Sequence, residues 1–237
     1  MKTVEFGDFR YVGDPVMSSK VYSDQDADEL IFLNIERKER SAESLVAIIQ
    51  NVSEMCFMPL TVGGGINSLE DADLLFQSGA DKLIINSACY EKPSLLSSIA
   101  NVYGAQSIVV SIDVRKNDDD GKYMCFSDCA EKSQNTKLLD HVSRVVDYGA
   151  GEIFINSIDR DGMMAGYDLD LFRAVSSIAK VPIIGCGGAG TFEHVKAAFL
   201  ETDLSALACA SLFNFGDNNP FRLKAHLRNA GILCKKV

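Results

Sequence analysis

The feature that most limits what this chain can fold into is a repeated alternation of short apolar runs with helical stretches. Seven runs read as strands: DELIFLNI (28–35), PLTVGGG (59–65), DKLIINS (81–87), QSIVVSIDV (106–114), GEIFINSI (151–158), VPIIGCGG (181–188) and SALACASL (205–212). Most are near-continuously apolar, the pattern of parallel strands covered on both faces. Between them the spacing predicts helices over 14–25, 41–54, 68–78, 93–103, 137–149, 168–179, 191–201 and 219–230. Ser41, Ser68 and Thr191 stand where N-caps belong, each followed closely by a glutamate. Repeated β-then-α units dictate a parallel sheet, and right-handed crossovers leave a closed barrel or a doubly wound open sheet.

An internal repeat favours the barrel. DELIFLN (28–34) reads like GEIFIN (151–156), VGGGINSLEDADLLF (62–76) like GCGGAGTFEHVKAAF (185–199), and LIINSA (83–88) roughly like LACASL (207–212). The three pairs share nearly the same offset, as two tandem half-barrels would. We therefore expect one domain over residues 1–237, a (β/α)₈ TIM-type barrel of two half-barrel repeats. Seven strands are one short of the eight that close such a barrel. The opening MKTVEF is polar and alternating and reads as part of a hairpin following a first strand, so that strand is expected to be absent or to lie upstream of Met1.

Composition narrows the function classes. Hydrophobic residues make up 47% of the chain, enough for a sizeable core. The formal charge of −10 is a poor match for nucleic acid or an anionic membrane, so an anionic ligand must be held by local features. No run approaches the roughly 18 apolar residues of a membrane span, and no apolar stretch follows the N-terminus as in a signal peptide. The cytoplasm is the expected compartment. The seven cysteines include no C-x-x-C, and the three histidines do not cluster with them at zinc spacing, so we expect reduced thiols, no metal and no cofactor.

Two glycine-rich strand ends carry the chemistry. Gly63-Gly64-Gly65 and Gly187-Gly188-Ala189-Gly190 each close a strand and open a loop before a helix. Glycines there let backbone N–H groups approach a phosphate, and a following helix adds its dipole. Each loop would be completed by the end of the next strand, Asn86-Ser87 for the first and Ala210-Ser211 for the second. The pair predicts a phosphorylated small molecule with a phosphate at each end. Asp113 ends an apolar strand where barrel enzymes keep catalytic groups. Asp161, beside Gly162 in SIDRDG, is the better ligand-side group of its loop, with Asp159 and Arg160 free to brace the loop as an ion pair.

FLNI, TVGGGI, GADKLIINSA, SIDV, AGEIFINSIDRDG, GYD, PIIGCGGAG and ASLF together resemble the cyclase subunit of imidazole glycerol phosphate synthase (HisF), from about Lys2 to Phe215. The resemblance implies a barrel that receives ammonia from a HisH-type glutaminase at its N-terminal face and meets a two-phosphate substrate at the opposite face. It implies Asp113 as one of two catalytic aspartates. It places Gly64, Gly65, Asn86 and Ser87 at one phosphate corner, and Asp161, Gly162, Gly187, Gly188, Ala210 and Ser211 at the other. Lys2 matches a loop lysine that closes over substrate, and Glu29, Lys82 and Glu152 match charges ringing the ammonia entrance.

In the family the second catalytic aspartate and the arginine of that ring belong to the first strand, expected here to be absent or to lie upstream of Met1. Asn34, Asn156 and Cys186 stand where the family usually has Asp, Thr and Ser. With the YVGDP opening, these departures resemble a divergent branch that accompanies surface-polysaccharide genes, in which ammonia serves a separate sugar amidotransferase that converts an N-acetyl into an acetamidino group. The alternatives are a genuine histidine-pathway cyclase and lyase, and a non-catalytic phosphate-binding barrel.

Overall fold

The computed structural model describes residues 4–7, 10–36 and 40–235. Seven parallel strands follow one another in strict chain order: β1 (Leu30–Leu33), β2 (Leu60–Gly63), β3 (Lys82–Ile85), β4 (Ile108–Lys116), β7 (Glu152–Ser157), β8 (Ile183–Cys186) and β9 (Ala206–Leu207). Between β4 and β7 the chain forms a hairpin, β5 (Tyr123–Ser127) and β6 (Lys132–Lys137), which pairs antiparallel with the end of β4. An open doubly wound sheet would reverse its order about a central strand. The unreversed order is that of a (β/α)₈ barrel wall, and it decides between the two architectures the sequence allowed.

Between the parallel strands run α2 (Glu43–Met55), α3 (Leu69–Gln77), α5 (Ser94–Tyr103), α6 (Leu138–Asp147), α7 (Leu169–Ser176) and α8 (Phe192–Glu201). α1 (Pro15–Asp24) precedes β1 and α10 (Pro220–Asn229) ends the fold; the short α4 (Ser87–Glu91) and α9 (Ser211–Asn214) open directly off β3 and β9. Two apolar clusters separate the faces of the curled sheet. The larger packs helices on its outside through Leu45, Ile49, Leu75, Leu96, Ile99, Val142, Leu171, Phe172 and Val175. The smaller lies inside: Ile84, Val109, Phe154 and Ile184, with Ile31, Cys186, Ala206 and Ala208 against it. Strand side chains alternate between faces, so residues two positions from these also face the interior.

The expected repeat is present in three dimensions. A Cβ on Gly64 would meet Asn34 O at 2.4 Å, and one on Gly187 would meet Ser157 O at 2.6 Å, each the residue just past the preceding strand or at its end. Ser68 caps α3 and Thr191 caps α8, each accepting from the backbone N–H three residues on. Asp71, not the nearer Glu70, completes the capping box at Ser68.

Several expectations need correction. The N-cap of α2 is Ala42, not Ser41, which accepts a long 3.4 Å bond from Ser44 N. Val4–Phe6 forms a 3₁₀ turn where a hairpin strand was expected. The run SALACASL is a strand only at Ala206–Leu207, because a strand is defined by its partner and β9 pairs on one side alone. Among the described residues no strand pairs with the outer edge of β1 or of β9. The two ends meet instead through helices. Tyr22 of α1 lies 6.3 Å from the Phe213 ring, and Lys224 of α10 places its buried Nζ 2.8 Å from both Asp26 and Asp28. Burial alone would pull the Lys224 ammonium down, but its two carboxylate partners outweigh this and hold it above the usual lysine range.

Candidate functional site

At the C-terminal end of the wall, Asp113 projects from β4 with only 6% of its surface exposed. Its neighbours fix it from both sides. Asn86, just past β3, donates Nδ2–H to Asp113 Oδ2 at 2.9 Å, and Asn156 of β7 donates to Oδ1 at 3.4 Å. The register sets this clamp, since Asp113 lies opposite Asn156 across the β4–β7 ladder. Both amides turn their hydrogens to the carboxylate, which leaves Asn86 Oδ1 and Asn156 Oδ1 buried with no hydrogen-bond partner among the described residues. An unsatisfied buried acceptor costs about 1–3 kcal/mol and is commonest where a ligand supplies the missing hydrogen.

The first glycine loop ends β2. Gly64 and Gly65 have φ of +102° and +85°, and both pack tightly on the loop after β1, at Asn34 and at Arg40–Ser41. Glycine is thus required here by loop contact as well as by any ligand. Ser87, at the start of α4, does not stand open: it donates Oγ–H to Asp128 Oδ1 at 2.9 Å. Neither Asp128 nor Arg40 was singled out from the sequence.

The second loop is similarly built. Gly187 and Gly188 have φ of +96° and +108°, and Gly188 O accepts from Gly166 N at 2.8 Å. Asp161 follows β7, its backbone N–H held by Ser157 O at 2.9 Å, with Gly162 beside it at φ +75°. Ala210 caps α9, which Ser211 opens. Tyr167, of the GYD motif, has no role assigned from the sequence and is buried here with its hydroxyl 3.2 Å from Cys209 Sγ and 3.3 Å from Ala208 O. Burial pushes the Cys186 thiol well up, and the charges of Asp161, Cys209 and Asp113 push it further. Asp159 does brace the loop, but through Arg115 at 3.4 Å and Lys116 N at 2.8 Å, not through Arg160.

At the opposite end, Lys82 Nζ lies 2.7 Å from Glu152 Oε1 and 3.0 Å from Glu29 Oε2. Each precedes by two positions a residue of the inner cluster, so the three meet at the N-terminal mouth of the interior. Burial would lower the Lys82 ammonium; its hydrogen bonds to Glu152 and Glu29 reverse that and raise it. Lys2 lies outside the described residues. All seven cysteines are free thiols. Among the described residues no three His, Cys, Asp or Glu side chains are grouped to hold a metal ion, and no helix is long and apolar enough to cross a membrane.

A parallel wall in unreversed chain order, with Asp113, Asn86 and Asn156 gathered at its C-terminal strand ends, is that of a (β/α)₈-type barrel. The chain matches the family described as histidine biosynthesis protein over residues 1–219, and it belongs to that family. It is 40% identical over 237 residues to the protein named imidazole glycerol phosphate synthase subunit HisF of Hyphomonas neptunium, covering all of this chain and 93% of that one. Proteins of the same name are 37% identical in Alkaliphilus metalliredigens, over 236 residues that cover all of this chain and 93% of the relative, and in Streptococcus gordonii, over 232 residues that cover 98% and 92%.

Proposed function

We propose that this chain is the ammonia-receiving barrel subunit of a glutamine amidotransferase pair. A HisH-type glutaminase docks at the mouth carrying Glu29, Lys82 and Glu152, and ammonia passes through the interior to the Asp113 end. There a phosphorylated ligand is held between the Gly64–Gly65 corner, with Asn86 and Ser87, and the Gly187–Gly188 corner, with Asp161, Gly162, Ala210 and Ser211. The ammonia serves amidination of an N-acetyl sugar by a separate amidotransferase.

The observation that carries this reading is the acceptor-rich point at Asp113. One carboxylate lies there, each of the two amides that clamp it leaves a buried orphaned oxygen beside it, and ammonia is a small molecule made of N–H donors. The names of the relatives favour a second reading, a genuine imidazole glycerol phosphate synthase cyclase. Cyclisation asks for a general acid and a general base on opposite sides of the substrate, each contributing roughly 10²–10⁴-fold. Among the described residues Asp113 is the one carboxylate that projects from the C-terminal half of a parallel strand into the interior. Asp161 comes from the loop that follows the neighbouring strand β7, not from a strand opposite Asp113.

A cyclase assay with free ammonia and the bisphosphate substrate of imidazole glycerol phosphate synthase separates the readings. We expect turnover at least a hundredfold below that of a histidine-pathway cyclase, together with glutaminase activity that the barrel stimulates. Turnover equal to such a cyclase, lost in Asp113→Asn, establishes the second reading. A barrel and glutaminase that do not associate at micromolar concentration refute the first.

A further inference from the structure

The turn of the β5–β6 hairpin carries a carboxylate into the first phosphate corner. Asp128 accepts from Ser87 Oγ at 2.9 Å and from Ser127 Oγ at 3.2 Å, and lies 3.5 Å from Arg40 Nη2. Each donor is committed. Ser127, buried, accepts from Gln134 Nε2 at 2.7 Å, so its own proton goes to Asp128. Ser87 Oγ accepts from Asp128 N–H at 3.2 Å, so its proton also goes to the carboxylate. Two hydroxyl protons and a guanidinium around one anion are the donor set of a phosphate or carboxylate seat.

The turn that delivers Asp128 is held against its own preference. Asp128, Cys129 and Ala130 have φ of +52°, +58° and +67°. Three consecutive non-glycine residues in the left-handed region are costly, and such a run persists only where contacts over-determine it.

We propose that Asp128 is a built-in counter-anion: its carboxylate fills the anion seat formed by Ser87, Arg40 and Ser127, and a ligand phosphate enters that seat only by displacing it. This rests on the phosphate-corner reading above and adds a competitor and a further binding residue, Arg40. The two corners are then unequal. The Gly187–Gly188 corner takes a phosphate first, and the Ser87 corner takes one only when the hairpin turn lets go. Ligands with a single phosphate bind without moving the hairpin; ligands with two must release it.

The test is a titration with inorganic phosphate followed by backbone amide NMR, in which Ser87 and Gly188 report the two corners separately. In the wild type the Gly188 signals should saturate at lower phosphate than those of Ser87. Asp128→Asn removes the like charge and should tighten the Ser87 corner at least about tenfold, leaving Gly188 unchanged. Asp128→Gly guards against a distorted turn, since glycine adopts a positive φ freely and should tighten that corner at least as much. Arg40→Met, added to Asp128→Asn, should abolish the gain. Phosphate at Gly188 with an unchanged or weakened Ser87 corner in both Asp128 variants overturns the inference alone. Phosphate at neither corner in any variant overturns the phosphate reading, and this inference with it.

Discussion

The charge cluster at the N-terminal mouth offers a stringent test, because its geometry sets the size of the effect. Both carboxylates contact one ammonium, at 2.7 and 3.0 Å, so they lie within about 6 Å of each other. The Lys82 and Glu152 side chains are 18% exposed and Glu29 is 42% exposed. Lys82→Met leaves two like charges facing each other. Their repulsion at about 6 Å is about 3 kcal/mol at an effective dielectric of 20 and below 1 kcal/mol in bulk water. Breaking a fully buried pair costs about 3–5 kcal/mol. Screening at the exposed Glu29 moves the expectation to about 2 kcal/mol.

Urea unfolding followed by far-ultraviolet circular dichroism at pH 7 measures it. We expect Lys82→Met to lose about 2 kcal/mol, Glu152→Gln added to it to recover about half, and added salt to reduce the loss. The folded-state shift of Lys82 is upward, so its contribution is complete below the ordinary lysine range near pH 10.4 and disappears as pH rises through the raised value. A Lys82→Met variant as stable as the wild type, with Glu152→Gln simply additive, would refute the mutual compensation and leave three separately hydrated charges.

Two further outcomes follow from buried groups elsewhere. His141 is fully buried, stacked 4.1 Å from the Tyr90 ring, with Nδ1 accepting from Arg144 at 2.8 Å; burial and then Arg144 push it down to about 4. The unfolded chain therefore takes up the proton first, and stability should fall by about 1.4 kcal/mol per pH unit between pH 6.5 and 4, a slope that His141→Gln flattens in urea titrations; equal slopes in both proteins would sink this. Gly187→Ala would set a methyl 2.6 Å from Ser157 O at a φ of +96°, whereas Gly231→Ala, at +81°, meets nothing within 4 Å. The first should lower thermal stability by about 2 kcal/mol or more and the second by about 1, so equal losses would mean that strain alone, not close packing of the loop, fixes the glycine.

What the chain reveals as sequence follows from what is buried. Strands covered on both faces must be largely apolar, so β3, β4, β7 and β8 stand out as near-continuous runs. The glycines of both corners are legible because a positive φ and a nearby carbonyl oxygen leave no other residue. The β6 strand, KSQNTK, is invisible by the same logic: its side chains are exposed or half-buried, and only its pairing with β5 makes it a strand. Without that hairpin there is no way to place Asp128 against Ser87 or Arg40, whose partners are distant in the chain. The Asn86–Asp113–Asn156 clamp was half legible. Each residue ends a readable strand, but their contact depends on register, which apolar runs do not specify.

The alternation of strand side chains has a consequence for the proposed passage. On β3, Lys82, Ile84 and the adjoining Asn86 share one face; on β7, Glu152, Phe154 and Asn156 do the same. Between the polar layer at the mouth and the polar layer at Asp113 lie Ile31, Ile84, Val109, Phe154 and Ile184, with two buried hydroxyl residues on the same face, Thr61 opposite Ile31 and Ser111 opposite Phe154. A charged ammonium entering that largely apolar layer would lose its hydration with no carboxylate in return, a cost of several kcal/mol, whereas neutral ammonia gives up far less. On the proposed reading the Glu29–Lys82–Glu152 cluster rings the entrance, the largely apolar waist favours passage of the neutral molecule, and the orphaned oxygens of Asn86 and Asn156 receive its hydrogens beyond. Substituting a carboxylate for Val109 in the waist should then stop ammonia-dependent output while leaving the glutaminase turning over, because the defect lies between the two polar layers and touches neither.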